Sequence, residues 1–194
     1  LFNTKLDVLN PNAKIYAAFA ISNILHKQRN FKKSAEYLKI ANYECLKQKK
    51  SDYSLKINNA EFYRSLKVDN QIFKEANTFK NIIFIVGMPR SGSTLLENIL
   101  SLNHEVTDMG EITFLEESLK DIDNIEDVFS SYNKKVDHLF EFSSIYTDKN
   151  LFNYMYCPII FNYFPNAKII HCLRNPLDNI LSIFRSNFLH QPFS

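Results

Sequence analysis

The sequence predicts an α/β protein, in which an all-helical segment precedes a parallel sheet flanked by helices. Two observations predict this class. In the first third of the chain, apolar residues recur every three or four positions, which is the period of an amphipathic helix. From residue 80 onward, short β-branched runs alternate with helical patterns, as in parallel sheets with helical crossovers. We therefore predict a helical segment over 1–77 and an α/β domain over 78–194.

The helical segment opens with two helices of similar length. Apolar residues recur across 15–25 and across 31–41, and the polar stretch 27–30 separates the two patterns. Small residues are interspersed with the large apolar ones, at Ala18, Ser22, Ser34 and Ala41. This spacing resembles one tetratricopeptide-type hairpin, in which small residues let paired helices approach closely. Such hairpins need about three neighbours to bury a core, so we expect further repeats upstream. A plain helical hairpin is the open alternative.

The remaining elements carry the chain into the α/β part. A third helix is predicted over 53–66, and a polar linker over 68–80 holds the domain boundary. Three strands are predicted at 82–86, 144–147 and 167–173. Helical patterns occupy 95–100, 113–119, 128–140, 153–164 and 176–188. Because crossovers between parallel strands are right-handed, the loops that follow the strands should meet at one edge of the sheet.

Composition excludes several functional classes. The 23 Lys and Arg residues nearly balance the 21 Asp and Glu residues, so the net charge of +2 argues against general nucleic-acid or membrane binding. Apolar runs such as 82–86 are far shorter than the ~20 residues that span a membrane. Three widely spaced cysteines predict neither a disulfide framework nor a zinc site.

The ends of the chain and its composition suggest its context. The first residue is Leu1 rather than Met, so we expect a fragment of a longer protein. No signal-peptide pattern follows Leu1, and we leave the compartment open, with the cytoplasm favoured. A composition rich in Lys, Asn and Ile, without tryptophan, suits an AT-rich bacterial genome.

A P-loop-like phosphate cradle is predicted where the first strand meets its helix. Gly87 and Gly92 have the G-x-x-x-x-G spacing that lets successive N–H groups turn inward, and the next helix adds its positive N-terminus. The lysine of a Walker loop is absent, since Gly92 is followed directly by Ser93 and Thr94. A cation stands at Arg90 instead. This departure argues against nucleoside-triphosphate hydrolysis.

The segment 89–96, with sequence PRSGSTLL, resembles the 5′-phosphosulfate loop of sulfotransferases. These enzymes use 3′-phosphoadenosine 5′-phosphosulfate as donor and release adenosine 3′,5′-bisphosphate. The resemblance implies that the donor is bound by the loop residues Pro89, Arg90, Ser91, Gly92, Ser93, Thr94 and Leu95.

Three further matches follow in the family's order. Arg174, after the third predicted strand, and Ser182, on the next helix, are similar to the pair that binds the 3′-phosphate. The Asp-Lys element containing Lys149 resembles the Asp-Lys element that precedes the 3′-phosphate motif in the family's sequences. Leu151 stands where the family usually has Pro. Glu111 matches the position of the catalytic Glu in the tyrosylprotein-sulfotransferase branch. The helical segment in front is similar to that of the repeat-bearing bacterial sulfotransferases.

The resemblance implies transfer of a sulfuryl group to an acceptor hydroxyl, with Glu111 as general base. Arg90 and Lys149 would stabilise charge on the leaving oxygen, and no metal is expected. Glu111 could instead be an acidic residue near a helix start, and His104 is a rival base. The acceptor remains open among peptide tyrosine, carbohydrate, lipid and small molecules, and the hairpin is a candidate site for a peptide or protein partner. Two alternatives to this function are a P-loop nucleotide or small-molecule kinase and a non-catalytic, repeat-mediated binding module.

Overall fold

A computed structural model describes residues 6–48, 54–65, 80–121 and 123–188. The described residues fall into two compact units, one within 1–53 together with 175–194, and the other within 54–174. The predicted linker lies outside the described residues, apart from Lys80. The predicted boundary between 77 and 78 therefore stays a prediction.

The first unit contains the predicted helical hairpin. After a short 3₁₀ helix at Leu6–Val8, helix α1 spans Pro11–Lys27 and helix α2 spans Phe31–Gln48. Asn10 caps α1, because its side-chain oxygen accepts the N–H of Ala13 at 2.8 Å, and Pro11 supplies a first-turn residue that needs no N–H partner.

The interface between α1 and α2 is built on the small residues that the sequence singled out. Ala18, Ser22, Ser34 and Ala41 are all buried. The hydroxyls of Ser22 and Ser34 lie 2.9 Å apart, and each donates to a backbone carbonyl of the facing helix. Small side chains allow this close approach, and the mutual hydrogen bonds satisfy the buried hydroxyls. Whether the hairpin is one of a series of repeats stays a prediction.

The second unit begins with helix α3, Ser54–Ser65, and contains a four-stranded parallel sheet. The strands are β1 at Asn81–Gly87, β2 at Val106–Asp108, β3 at Ile145–Asp148 and β4 at Lys168–Cys172. Their order across the sheet is β2-β3-β1-β4, and all neighbours pair in parallel. The connecting helices are α4 at Ser93–Leu100, α5 at Phe114–Lys120, α6 at Val128–Leu139 and α7 at Cys157–Tyr163.

The α/β class is confirmed, and within the second unit two elements differ from the prediction. Strand β2 was missed, because three residues of sequence V-T-D carry too little periodicity to indicate a strand. The helix predicted over 153–164 is a 3₁₀ helix at Leu151–Tyr156 followed by α7. Pro158 accounts for the break, since a proline has no N–H to continue a helical ladder and is accommodated in a first turn.

The core of the second unit is rich in aromatic residues, and it includes Ile82 and Phe84, which lie on the same face of β1. Phe84 on β1 is fully buried and packs edge-on against Phe164, which also contacts Tyr132 of α6. Tyr63 of α3 stacks edge-on with Tyr156 at 4.9 Å, which joins the third helix to this unit. The core thus holds β1 rigidly, and β1 leads directly into the predicted phosphate loop.

The last described helix, α8 at Pro176–Phe184, belongs to the first unit and ends four residues before the predicted limit of 188. Asn175 caps it by accepting the N–H groups of Leu177 and Asp178. The side-chain amide of Asn42 on α2 donates to the carbonyl of Phe184 at 2.9 Å. This hydrogen bond satisfies one of the carbonyls at the end of α8 that have no partner within the helix. Within the described residues, no helix has the length and apolar character needed to cross a membrane.

Candidate active site

The glycine loop has the backbone strain that its sequence predicts. Gly87 closes β1 at φ +148°, and a Cβ there would lie 2.6 Å from the carbonyl oxygen of Cys172 on β4. Gly92 caps α4 at φ +101°, a left-handed conformation that glycine adopts without steric cost. Arg90 also lies at a positive φ, +68°. Two glycines and one strained residue thus turn the chain tightly between strand and helix.

The loop presents hydrogen-bond donors at the start of α4. The N–H of Leu96 donates to the carbonyl of Gly92, so the N–H groups of Ser93, Thr94 and Leu95 lie ahead of the helical ladder. The hydroxyl of Ser91 is buried and has no hydrogen-bond partner among the described residues. A buried polar group without a partner is costly, so the Ser91 hydroxyl is available to donate to a ligand oxygen bound at this loop. These donors suit an anionic oxygen.

Arg174 lies directly against this loop. Gly87 pairs with Cys172 in the parallel register of β1 and β4, so Arg174 emerges at the same edge of the sheet. Its Nη1 donates to the carbonyl of Arg90 at 3.0 Å. The structure therefore brings the predicted loop and the predicted Arg together, and it places a permanent positive charge beside the strained residue.

Ser182 is placed differently. It is half-buried on α8, within the first unit, where its carbonyl accepts the hydroxyl of Ser186. Its pairing with Arg174 around one phosphate stays a prediction from the sequence.

A buried lysine and a half-exposed glutamate meet at the ends of β3 and β2. The ladder between these strands continues past their assigned ends, because Met109 N–H donates to the Thr147 carbonyl and Lys149 N–H donates to the Gly110 carbonyl. This register carries the Lys149 ammonium to 2.9 Å from Oε1 of Glu111. The Lys149 side chain is 5% exposed, whereas that of Glu111 is 48% exposed. The structure thus joins two of the predicted catalytic residues in one ion pair.

A second carboxylate, which the sequence analysis missed, lies on the other side of Lys149. Oε2 of Glu97 is 3.6 Å from the Lys149 ammonium, and its side chain is 4% exposed. Oε1 of Glu97 accepts the Gly110 N–H at 3.2 Å and the Thr147 hydroxyl at 3.0 Å. The sequence held a signal for this residue: Glu97 is four residues after Ser93, which places the two on the same face of a helix. That face of α4 is the buried one.

Asp148, next to Lys149, is fully buried and points to a different set of partners. Its carboxylate accepts the hydroxyl of Tyr132 at 2.9 Å, the side-chain amide of Asn153 at 2.9 Å and the N–H of Asn150 at 3.1 Å. Burial raises the pKa of Asp148 to about 7, and the three hydrogen bonds oppose that rise. Asp148 therefore anchors β3 to α6 and to the 3₁₀ helix that follows.

The two candidates for the general base, His104 and Glu111, lie at opposite ends of strand β2. His104 is exposed in the turn before β2, at the amino end of that strand. Glu111 follows the carboxyl end of β2, where loops of parallel sheets form ligand sites. Glu111 also precedes α5, which begins at Phe114, and its contact with Lys149 distinguishes it from an ordinary first-turn acid.

No group of three or more His, Cys, Asp and Glu side chains is arranged to hold a metal ion in the described parts of the chain. The four site-bearing loops nevertheless follow the four strands in turn: the glycine loop after β1, Glu111 after β2, Lys149 after β3 and Arg174 after β4. All four strands are parallel, so these residues share the carboxyl edge of the sheet.

In a comparison with known proteins, one family model matches the part of the chain that contains the sheet. The profile described as "Sulfotransferase family" matches residues 82–140 and 124–194. An uncharacterized protein of Aquifex aeolicus (strain VF5) is 28% identical over 200 residues, which cover 89% of this chain and 26% of that protein. The chain thus spans about a quarter of the length of this curated relative. No solved structure matches the chain.

Proposed function

Because the chain belongs to the sulfotransferase family, we propose that it carries the donor site and catalytic residues for sulfuryl transfer from 3′-phosphoadenosine 5′-phosphosulfate to an acceptor hydroxyl. The observation that carries this proposal is the contact between Lys149 and Glu111 on the same sheet edge as the glycine loop. An anion cradle, a cation and a carboxylate are the groups that such a transfer needs.

The donor's phosphosulfate end fits the glycine loop. The N–H groups of Ser93, Thr94 and Leu95 and the unpartnered hydroxyl of Ser91 are donors for its oxygens. Pro89 and Gly92 shape the turn, and Arg90 adds charge within it. Arg174 is the candidate for the 3′-phosphate, with Ser182 as its predicted partner from the sequence.

The donor supplies an electrophilic sulfur and a phosphate leaving group. Glu111 accepts the proton of the acceptor hydroxyl as that oxygen bonds to sulfur. The bond from sulfur to the bridging oxygen breaks, and its electron pair stays on that oxygen. Lys149 and Arg90 stabilise the charge that develops there. Half-exposure of Glu111 is consistent with a base that must meet an acceptor, while burial of Lys149 strengthens its electrostatic effect.

The first test measures transfer. Full-length protein is incubated with ³⁵S-labelled donor and a panel of peptide, carbohydrate, lipid and small-molecule hydroxyls. We expect label in one acceptor class, and a loss of roughly 10²- to 10⁴-fold in the Glu111→Gln variant, as expected for removal of a general base. Glu116→Gln is the matched control, because Glu116 pairs with Lys120 on the surface. Equal rates in the two variants would refute the assignment of the base.

The second test measures donor binding without catalysis. Adenosine 3′,5′-bisphosphate at one hundred times its Kd should stabilise full-length protein by about 2.7 kcal/mol, seen as a higher Tm. Arg174→Ala should abolish most of that shift, and Lys120→Ala, which removes an exposed cation elsewhere, should retain it. Magnesium-dependent ATP binding without affinity for the bisphosphate would instead favour the kinase alternative. Binding of neither nucleotide would favour the non-catalytic module.

A further inference from the structure

We propose that Glu97 is a positioning residue, which acts as the permanent counter-ion of Lys149 while Glu111 takes up the acceptor proton. This inference rests on the proposed function, because it assigns Glu111 the role of base. It adds a residue from the helix that follows the phosphate loop, and it explains why one ammonium lies between two carboxylates.

The two carboxylates differ in exposure and in hydrogen bonding. Glu111 is 48% exposed and lies 2.9 Å from the Lys149 ammonium. Glu97 is 4% exposed and lies 3.6 Å from the same ammonium. The Gly110 N–H and the Thr147 hydroxyl both donate to the other oxygen of Glu97, so its position is set from two sides. The exposed carboxylate is therefore free to exchange partners, and the buried one is held in place.

Charge balance explains why both are needed. When Glu111 accepts the acceptor proton it becomes neutral, and the 5% exposed Lys149 loses that counter-ion. A buried ammonium without a counter-ion is strongly unfavourable. Asp148 is adjacent in sequence, but its carboxyl is directed to Tyr132, Asn150 and Asn153. Glu97 therefore remains beside Lys149 as its counter-ion throughout the transfer.

Glu97 also fixes the backbone that carries the base. Its Oε1 holds the N–H of Gly110, the residue before Glu111, and Gly110 lies at φ +67°. The Gly110 carbonyl in turn accepts the Lys149 N–H at 2.8 Å. One carboxylate thus ties together the base, the lysine and α4, whose first residues belong to the phosphate loop. A shift of any one of these elements would be transmitted to the others.

The Glu97→Gln variant separates charge from hydrogen bonding. The Gln amide oxygen can still accept from Gly110 and Thr147, while its NH₂ group faces the ammonium without charge. In full-length protein we expect kcat to fall roughly 10- to 100-fold, as for loss of one charge-assisted interaction, with the KM for the donor nearly unchanged. Glu97→Asp, which restores the charge, should recover several-fold of that loss. Glu116→Gln should match wild type.

A second measurement does not depend on activity. Full-length protein is treated with an amine-acylating reagent, and labelling of Lys149 is followed by mass spectrometry. In Glu97→Gln, the half-exposed Glu111 is the one ion-pair partner that Lys149 retains among the described residues, so labelling of Lys149 should rise several-fold. In Glu111→Gln it keeps the buried partner, so the rise should be smaller.

The outcomes are distinguishable. The inference is overturned if Glu97→Gln turns over like Glu116→Gln, or if its Lys149 is labelled as slowly as in wild type. A wild-type protein that transfers no sulfuryl group, yet shows the expected labelling pattern, would refute the proposed function and still support Glu97 as the anchor of Lys149.

Discussion

Replacing Asp148 with Asn should remove a pH dependence that burial imposes on the α/β unit. Asp148 is fully buried, and that burial raises its pKa from the ordinary value of 3.8 to about 7. Below the lower value the carboxyl is neutral in both the folded and unfolded chains, so it imposes no cost. As the pH rises through this interval, the carboxyl ionises in the unfolded chain first, which lowers the free energy of the unfolded chain relative to that of the folded chain. Stability is therefore lost between about pH 4 and pH 7, and the loss levels off above pH 7.

The magnitude follows from the interval. Each pH unit between the two pKa values lowers the free energy of unfolding by about 1.4 kcal/mol. An interval of about three units gives about 4 kcal/mol at pH 8. Asn has nearly the same shape as Asp, and its oxygen can accept from Asn150 or Asn153, whereas its NH₂ group must meet the Tyr132 hydroxyl. The variant should thus gain up to a few kcal/mol over wild type at pH 8, a smaller amount at pH 5 and 6, and nothing below about pH 4.

The assay must report on this unit within the whole protein. Hydrogen exchange of full-length protein through a urea series, read by mass spectrometry on peptides covering β1 and β3, gives their local free energy of opening. Values at pH 5, 6, 7 and 8, corrected for intrinsic exchange rates, are compared between wild type and Asp148→Asn. Other carboxyls titrate in both proteins, so the difference isolates Asp148. Parallel pH slopes for the two proteins would refute the reasoning.

Three further substitutions test the loop and the core. Gly87→Ala should cost about 2 to 4 kcal/mol, seen as a lower Tm, because its Cβ would lie 2.6 Å from the Cys172 carbonyl at φ +148°; an unchanged Tm would contradict the close strand contact. Tyr132→Phe removes a hydrogen-bond donor to Asp148, so it should lower the free energy of unfolding by about 1 to 3 kcal/mol at pH 8 and by less at pH 5. The same exchange assay measures both values. Equal losses at the two pH values would argue against an ionised Asp148 at pH 8. Ser91→Ala should leave the Tm of the free protein unchanged or higher, since its hydroxyl is buried without a partner among the described residues, but should weaken adenosine 3′,5′-bisphosphate binding in calorimetry; unaltered affinity would remove Ser91 from the donor site.

The sequence could predict which residues lie near one another because the signals it used are local. The glycine spacing at 87 and 92 requires positive φ angles, and the structure has them. The Lys149 and Glu111 positions came from short motifs in the family's order, and the structure joins their side chains. The placement of Arg174 beside the loop followed from parallel strands sharing one edge. Backbone conformation and connection handedness are properties of short segments, so they can be predicted from the residues alone.

Only the tertiary structure decided how the site is supported. Strand β2 exists because β3 supplies its hydrogen bonds, and its three residues have no pattern of their own. Glu97 is buried because α4 packs its polar face toward Lys149, Gly110 and Thr147, while Leu95 and Ile99 of the same helix are exposed. Composition alone would have placed that glutamate in solvent. Burial of a charge depends on which distant partners compensate it, and the fold brings those partners together.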